Sequence, residues 1–261
     1  MNTFRTVSAL TAGALALGLL AACNDSSLGE RRLDFDQTEA VKINKITVAP
    51  GAGDVVVSTG AVDTVRIKRV IRYRGAQPSD DTFRIDGTEL RIDTECGSSC
   101  SVSYDILAPT GVAVGGENGS GDVSLSDVGD VDVKVGSGDV TLARVTGTVR
   151  AETGSGDINL RRVEKAATVR TGSGSVTGDD LGSTVEATTG SGDITLAIRT
   201  AGSVKAHASS GSIGLTVPQG AYRVEAHSSS GTTRSDLQTD PAASHLLDLE
   251  TASGDITLTR R

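Results

Sequence analysis

From residue 119 onward, apolar and polar residues alternate in short runs: Val123/Leu125, Val140/Leu142, Ile158/Leu160, Ile194/Leu196, Ile213/Leu215 and Ile256/Leu258, with polar residues between. A period of two predicts strands with one buried face. A second alternating run closes most units, as in Val131-Asp132-Val133-Lys134-Val135, Val149-Arg150-Ala151-Glu152, Val185-Glu186-Ala187, Val204-Lys205-Ala206 and Tyr222-Arg223-Val224-Glu225-Ala226. A glycine-rich tetrapeptide precedes each first run. It reads Gly-Ser-Gly-Asp at 119–122, 136–139, 154–157 and 190–193, with variants at 172–175, 209–212, 229–232 and 252–255. The eight copies start 17 to 23 residues apart, and all keep the Ser-Gly pair.

A unit of this size, with two half-buried strands and two corners, cannot hide its apolar side alone, whereas stacked copies can. The pattern therefore predicts an all-β chain. Residues 119–261 form a parallel β-solenoid of about eight short rungs, roughly 40 Å long at a rung spacing near 4.8 Å. Its interior is expected to be narrow, because inward positions hold Ala151, Ala187, Ala206 and Gly178. The corner glycine supplies a backbone conformation closed to other residues, and the Asp, Ser or Thr after it can cap the turn.

Stacked Asp122, Asp139 and Asp157 would place carboxylates a rung apart, and glycine-rich Asp repeats can bind Ca²⁺. The same position holds Ser175, Ser212 and Thr232 in other copies. These share with Asp the ability to cap but not its charge, so capping is the preferred reading.

Residues 33–118 alternate less regularly, with turns signalled at Pro50-Gly51, Gly75, Asp86-Gly87 and Pro109-Thr110-Gly111. They are expected to be an N-terminal β cap covering the exposed edge of the first rung. At the far end, Arg260-Arg261 is expected to discourage further stacking after the strand at 256–259, and Pro241 marks the unit before it as irregular.

The N-terminus reads differently. Arg5 precedes an uncharged Ala/Leu-rich run from Val7 to Ala22, too short to span a bilayer and ending in small residues, as a secretory signal does. Leu20-Ala21-Ala22-Cys23 resembles the lipobox of bacterial lipoproteins. The resemblance implies that residues 1–22 are removed, that Cys23 is acylated, and that 23–32 form a flexible tether. Two or three acyl chains anchor stably where one holds marginally. The expected location is extracytoplasmic, on a bacterial membrane.

Without the signal the chain carries 24 basic and 33 acidic residues, a net charge of 24 − 33 = −9. That sign disfavours nucleic acid and anionic lipid headgroups as partners. There is no Trp, and only three Tyr and three Phe, so Val, Ile, Leu and Thr on short strands must build the core. In an oxidising compartment Cys96 and Cys100 should pair across a tight turn. Their spacing is not Cys-x-x-Cys, which argues against a redox role.

Enzyme motifs are absent: there is no Gly-x-Ser-x-Gly elbow, no His-Glu-x-x-His and no phosphate-binding loop. No catalytic residue and no cofactor are assigned. His207 and His227 align in neighbouring units, with Glu250 expected in the unit after them, an arrangement that could hold Zn²⁺. Three solvated side chains are the preferred reading, since no outer partner for the imidazoles is evident.

The segment Tyr104-Asp105-Ile106-Leu107-Ala108-Pro109-x-Gly111, followed by successive Ser-Gly-Asp-Ile/Val strands, resembles the putative-adhesin β-strand-repeat family of bacterial surface proteins, related to the head-GIN domains. The resemblance covers roughly residues 40–261. It implies a β-helical fold and an adhesive or envelope role, and carries no catalytic residues. The expected function is a lipid-anchored binding, adhesin-like or envelope-scaffold protein acting on a cell-surface protein or glycan, without catalysis. The alternative is a carbohydrate-active β-helix enzyme such as a polysaccharide lyase, disfavoured by short coils, tight corners and few aromatics. Ice or crystal binding through Thr141, Thr177, Thr195 and Thr257 is undercut by Ser124, Asn159 and Gly214 at the same rung position.

Overall fold

The computed structural model describes residues 29–182 and 184–261. The first nine strands are β1 (Arg31–Glu39), β2 (Lys45–Ala49), β3 (Val55–Gly60), β4 (Val65–Tyr73), β5 (Phe83–Asp86), β6 (Glu89–Asp93), β7 (Cys100–Pro109), β8 (Ala113–Ser120) and β9 (Val123–Ser126). The regular repeat continues as β10 (Val131–Ser137), β11 (Val140–Val145), β12 (Val149–Ser155), β13 (Ile158–Val163), β14 (Ala167–Ser173), β15 (Val176–Leu181), β16 (Val185–Ser191), β17 (Ile194–Ile198), β18 (Val204–Ser210) and β19 (Ile213–Val217). The last four are β20 (Tyr222–Ser230), β21 (Thr233–Ser235), β22 (His245–Ser253) and β23 (Ile256–Arg260).

Two sheets face each other. Sheet A has twelve strands in the order β1-β4-β7-β3-β9-β11-β13-β15-β17-β19-β23-β21, and sheet B has eleven in the order β20-β22-β18-β16-β14-β12-β10-β8-β2-β6-β5. Among the described strands, pairing is parallel along the stack and antiparallel at β1–β4, β4–β7 and β5–β6. Setting aside β1 and β4 from one sheet and β5 from the other leaves ten strands in each, which pair off as ten rungs. The β-solenoid expected from the repeat is the observed fold.

The interior is a thin double layer in which Val, Ile and Leu from sheet A meet Val and Ala from sheet B. Ile158, Leu160, Val176 and Ile194 are almost fully buried, as are Ala151, Ala187 and Ala206 opposite them. Gly178 faces inward as expected. A β-carbon there would lie 2.7 Å from Leu181 Cδ1 and 2.9 Å from Leu196 Cδ2, so the leucines occupy the space a side chain would need.

Parallel stacking reaches further toward the N-terminus than residue 119. β6/β7 and β2/β3, both inside the segment expected to be a cap, are rungs with the same pairing as the rest. Their irregular spacing hides the repeat because β6/β7 lies outside β2/β3, against chain order. The true lid is the antiparallel part. Arg69, only 5% exposed, stacks its guanidinium 4.3 Å from the Phe35 ring and 5.1 Å from Phe83, and donates to Thr82 Oγ1 at 2.7 Å and to the Asp80 carbonyl. Stacked cation and rings close the apolar end with three side chains. β1 begins at Arg31, so strand pairing starts inside the segment expected to be tether. Residues 23–28, with Cys23, and the signal 1–22 lie outside the described residues.

The far end also departs from expectation. The C-terminal rung β22/β23 inserts between β18/β19 and β20/β21, so Arg260-Arg261 does not close the rod. Burial explains the inversion: β22/β23 points Leu247, Leu249, Ile256 and Leu258 inward, all nearly inaccessible, whereas β20/β21 offers Val224, Ala226 and Ser228, and Thr233 to Ser235 are exposed. The rung with more apolar surface takes the position covered on both sides. The irregular insert then blunts the free edge of β20: Thr239 Oγ1 accepts from Val224 N at 2.9 Å, and Asp240 N donates to the Tyr222 carbonyl at 2.8 Å.

Candidate functional surfaces

The glycine corners build a continuous ladder. Asp54 N donates to Ser103 Oγ, and Asp54 Oδ1 then accepts from Asp122 N, both at 3.1 Å. The relay continues through Asp139 N to Asp122 Oδ1 (2.9 Å), Asp157 N to Asp139 Oδ1 (2.8 Å) and Ser175 N to Asp157 Oδ1 (2.7 Å). It ends through Asp193 N to Ser175 Oγ (3.3 Å), Ser212 N to Asp193 Oδ1 (2.7 Å), Asp255 N to Ser212 Oγ (3.3 Å) and Thr232 N to Asp255 Oδ1 (2.8 Å). One side-chain oxygen per rung thus satisfies an amide of the next, Ser serves where Asp is missing, and Thr232 ends the row as a donor to Asp255. Asp122, Asp139 and Asp157 use one oxygen each in this way, to the amide of the next rung and not to their own turn as expected. Sequence inspection missed Ser103 and Asp54, which start the ladder outside the obvious repeat.

A second row runs inside. Thr153, Thr171 and Thr189, almost inaccessible, donate their hydroxyls to the carbonyls of Gly138, Gly156 and Gly174 at 2.8 to 2.9 Å, and Thr251 does the same to Gly211. A buried hydroxyl is tolerated only with such a partner. At the opposite corner Asp127, Arg144, Arg162 and Asp180 all adopt positive φ of 55° to 61°. Arg144 holds Asp127 with two bonds of 2.6 Å, and Arg162 and Arg199 both reach Asp180. These pairs favour a conformation that costs non-glycine residues energy. The hydrogen bonds from Arg144 hold the Asp127 carboxyl below the usual range. Those from the Thr232 amide and hydroxyl do the same for Asp255.

The two outer faces differ. Sheet B carries charge on most rungs: Lys134 and Arg150 flank Glu152 at 3.8 and 2.8 Å, and Arg170 reaches Glu186 at 4.0 Å. Sheet A shows Val56, Ser124, Thr141, Asn159, Thr177, Thr195, Gly214 and Thr257 in one register across eight consecutive rungs, none of them charged. The result is an uncharged column of small side chains, beside an outward column that carries Arg161 and Asp179 on adjacent rungs.

The histidine column is reordered by the inserted rung. Glu250 pairs in register with His207 on one side and His227 on the other, so it lies between them instead of after them. His207 Nε2, buried and without a hydrogen-bond partner, is 3.6 Å from both Asp248 Oδ2 and Glu250 Oε2. Among the described residues no three His, Cys, Asp or Glu side chains converge on a common metal position. Cys96 and Cys100 are bonded across a tight turn, with Cα atoms 5.3 Å apart. Among the described residues no helix is long and apolar enough to cross a membrane.

Fold and surfaces define a two-sheet parallel β-solenoid, capped by antiparallel strands, whose side chains are organised for stacking. The toastrack DUF4097 family model matches residues 110–259, and the chain belongs to that family. Among solved structures, it is similar to a "putative adhesin" from Bacteroides fragilis, with TM-score 0.45 and 15% identity over 88% of this chain and 97% of that one. It is also similar to a "putative cell adhesion protein" from Clostridium sporogenes, with TM-score 0.33 and 10% identity over 88% of this chain and 100% of that one. No curated protein matches it in sequence.

Proposed function

We propose that the protein is a lipid-anchored, extracytoplasmic rod that binds an extended cell-surface partner, protein or glycan, without turning it over. The observation that carries this reading is the outer face of sheet A: eight consecutive rungs in register present uncharged small side chains. An uncharged column docks over a long contact at little desolvation cost, whereas the charged face of sheet B would have to shed water from ion pairs. The ladder of corner bonds keeps that face rigid, so little ordering entropy is lost on binding. The Ala/Leu-rich leader and Leu20-Ala21-Ala22-Cys23 support the anchor.

The test is binding of the mature chain, with Cys23→Ser to remove the acyl site, to intact bacterial cells and isolated envelope glycans. Placing charge on the uncharged column with Thr141→Arg/Thr177→Arg should reduce retention at least tenfold, and the same change at Thr168 on sheet B should not. Release of unsaturated sugar ends from those glycans marks a lyase and defeats the reading.

A further inference from the structure

We propose that the corner of the rod nearest the anchor, built from Arg32, Arg72 and Arg74, docks on the anionic headgroups of the membrane that holds the lipid. The inference rests on the anchor reading above. Antiparallel pairing of β1 with β4 sets Arg32 directly opposite Arg72 and Arg31 opposite Tyr73, and Arg74 follows at once. Like charges facing each other across a sheet destabilise it, so an external anion is favoured at this place. On the face shared by Arg32, Arg72 and Arg74 stand Glu30 and Asp34, a local balance of 3 − 2 = +1 in a mature chain of −9.

The local anions leave part of this charge available. Asp34 holds Arg32 at 2.6 Å, but Glu30 lies 3.8 Å from Arg72 and 4.0 Å from Arg74, beyond hydrogen-bond range. Arg72 and Arg74 line a shallow hollow together with Ser99 and Ser101, and Glu30 lines it too. Guanidinium forks beside serine hydroxyls suit phosphate oxygens. Seven residues, 24–30, separate Cys23 from β1, which allows at most roughly 25–30 Å between lipid and corner. Screening over about 8–10 Å lets this corner respond to headgroups while the acidic remainder of the rod is too distant to oppose it. The net charge of the whole chain is therefore a poor guide to its membrane-proximal end.

The test uses the full mature chain with Cys23→Ser, pelleted with vesicles of phosphatidylcholine alone or mixed one to one with phosphatidylglycerol. Association is expected with the anionic vesicles only. It should fall when salt is raised from low to high, and drop roughly thirtyfold in Arg72→Ser/Arg74→Ser. Arg32→Ser alone should give a smaller loss, and Arg150→Ser/Arg170→Ser on the sheet B face should leave binding unchanged. Equal pelleting with both vesicle types, no pelleting at all, or an equal loss in the sheet B pair overturns the proposal. Mass spectrometry of the Cys23 peptide from bacterial membranes tests the anchor separately, so failure of either reading is visible without the other.

Discussion

Replacing Gly156 with Ala separates what the corner glycines do for their own backbone from what they do for the rung below. Gly156 has φ +144°, and a β-carbon there would lie 2.1 Å from the Gly138 carbonyl oxygen and 2.5 Å from its carbon. Conformational strain alone costs about 1–3 kcal/mol. To bring that contact even to 3.0 Å, the rungs must part locally by about 0.9 Å. The bonds from Gly138 N to Ser155 O (2.8 Å) and Val140 N to Asp157 O (2.9 Å), which tie these two rungs together, would then stretch past hydrogen-bond range, at about 1 kcal/mol each. The expected loss is about 4 kcal/mol, a large share of a typical domain's stability. Two further alanines divide the total. Gly75 has φ +86° with nothing within 4 Å of the added carbon, so Gly75→Ala should cost only the strain. Gly214 lacks positive φ and its nearest neighbour would be 3.9 Å away, so Gly214→Ala should be neutral or stabilise by about 0.5 kcal/mol. Urea unfolding of the acyl-free chain, followed by circular dichroism, reads all three midpoints. A Gly156→Ala cost no greater than that of Gly75→Ala would refute the role given to close rung approach.

In the ladder, Asp157→Asn keeps an acceptor for Ser175 N and should change the midpoint little, while Asp157→Ala should lose up to about 1 kcal/mol; equal effects of the two would remove the ladder argument. Because Arg144 depresses the folded pKa of Asp127, the stability this pair contributes is present above the unfolded aspartate value and is lost as pH falls through the lower folded one. Midpoints measured from pH 6 down to 2 should show a smaller acid loss in Asp127→Asn than in the parent chain. Burial pushes the Tyr104 hydroxyl up to about 12, so stability should hold below the unfolded tyrosine value near 10 and decline as pH rises toward 12. Absorbance titration should find Tyr104 among the late-ionising tyrosines, and Tyr104→Phe should flatten that alkaline decline. Cys96→Ser/Cys100→Ser should cost about 2 kcal/mol by the loop-entropy model without changing the far-UV spectrum; a lost spectrum would make this disulfide essential to folding.

Strand positions and the inward Ala and Gly residues were legible in the sequence because each is encoded within one short unit, as was the hydrogen-bonding character of the Asp/Ser/Thr position, although its partner on the next rung was not. Period two exposes a strand to a single reading, and a residue type that varies among Asp, Ser and Thr reveals the one property they share. The order of the rungs was not legible. Neither β6/β7 outside β2/β3 nor β22/β23 inside β20/β21 follows from any local pattern, since every rung offers neighbours nearly the same edge. At the C-terminal end competition for the covered position decided it, and β22/β23, richer in Leu and Ile than β20/β21, took it. The same inversion moved Glu250 between His207 and His227 and brought Asp248 beside His207. Pairing of distant strands likewise set Arg32 against Arg72. Periodicity is local and survives in one dimension, whereas burial and charge juxtaposition depend on which surfaces meet, and that is settled only when the chain is stacked.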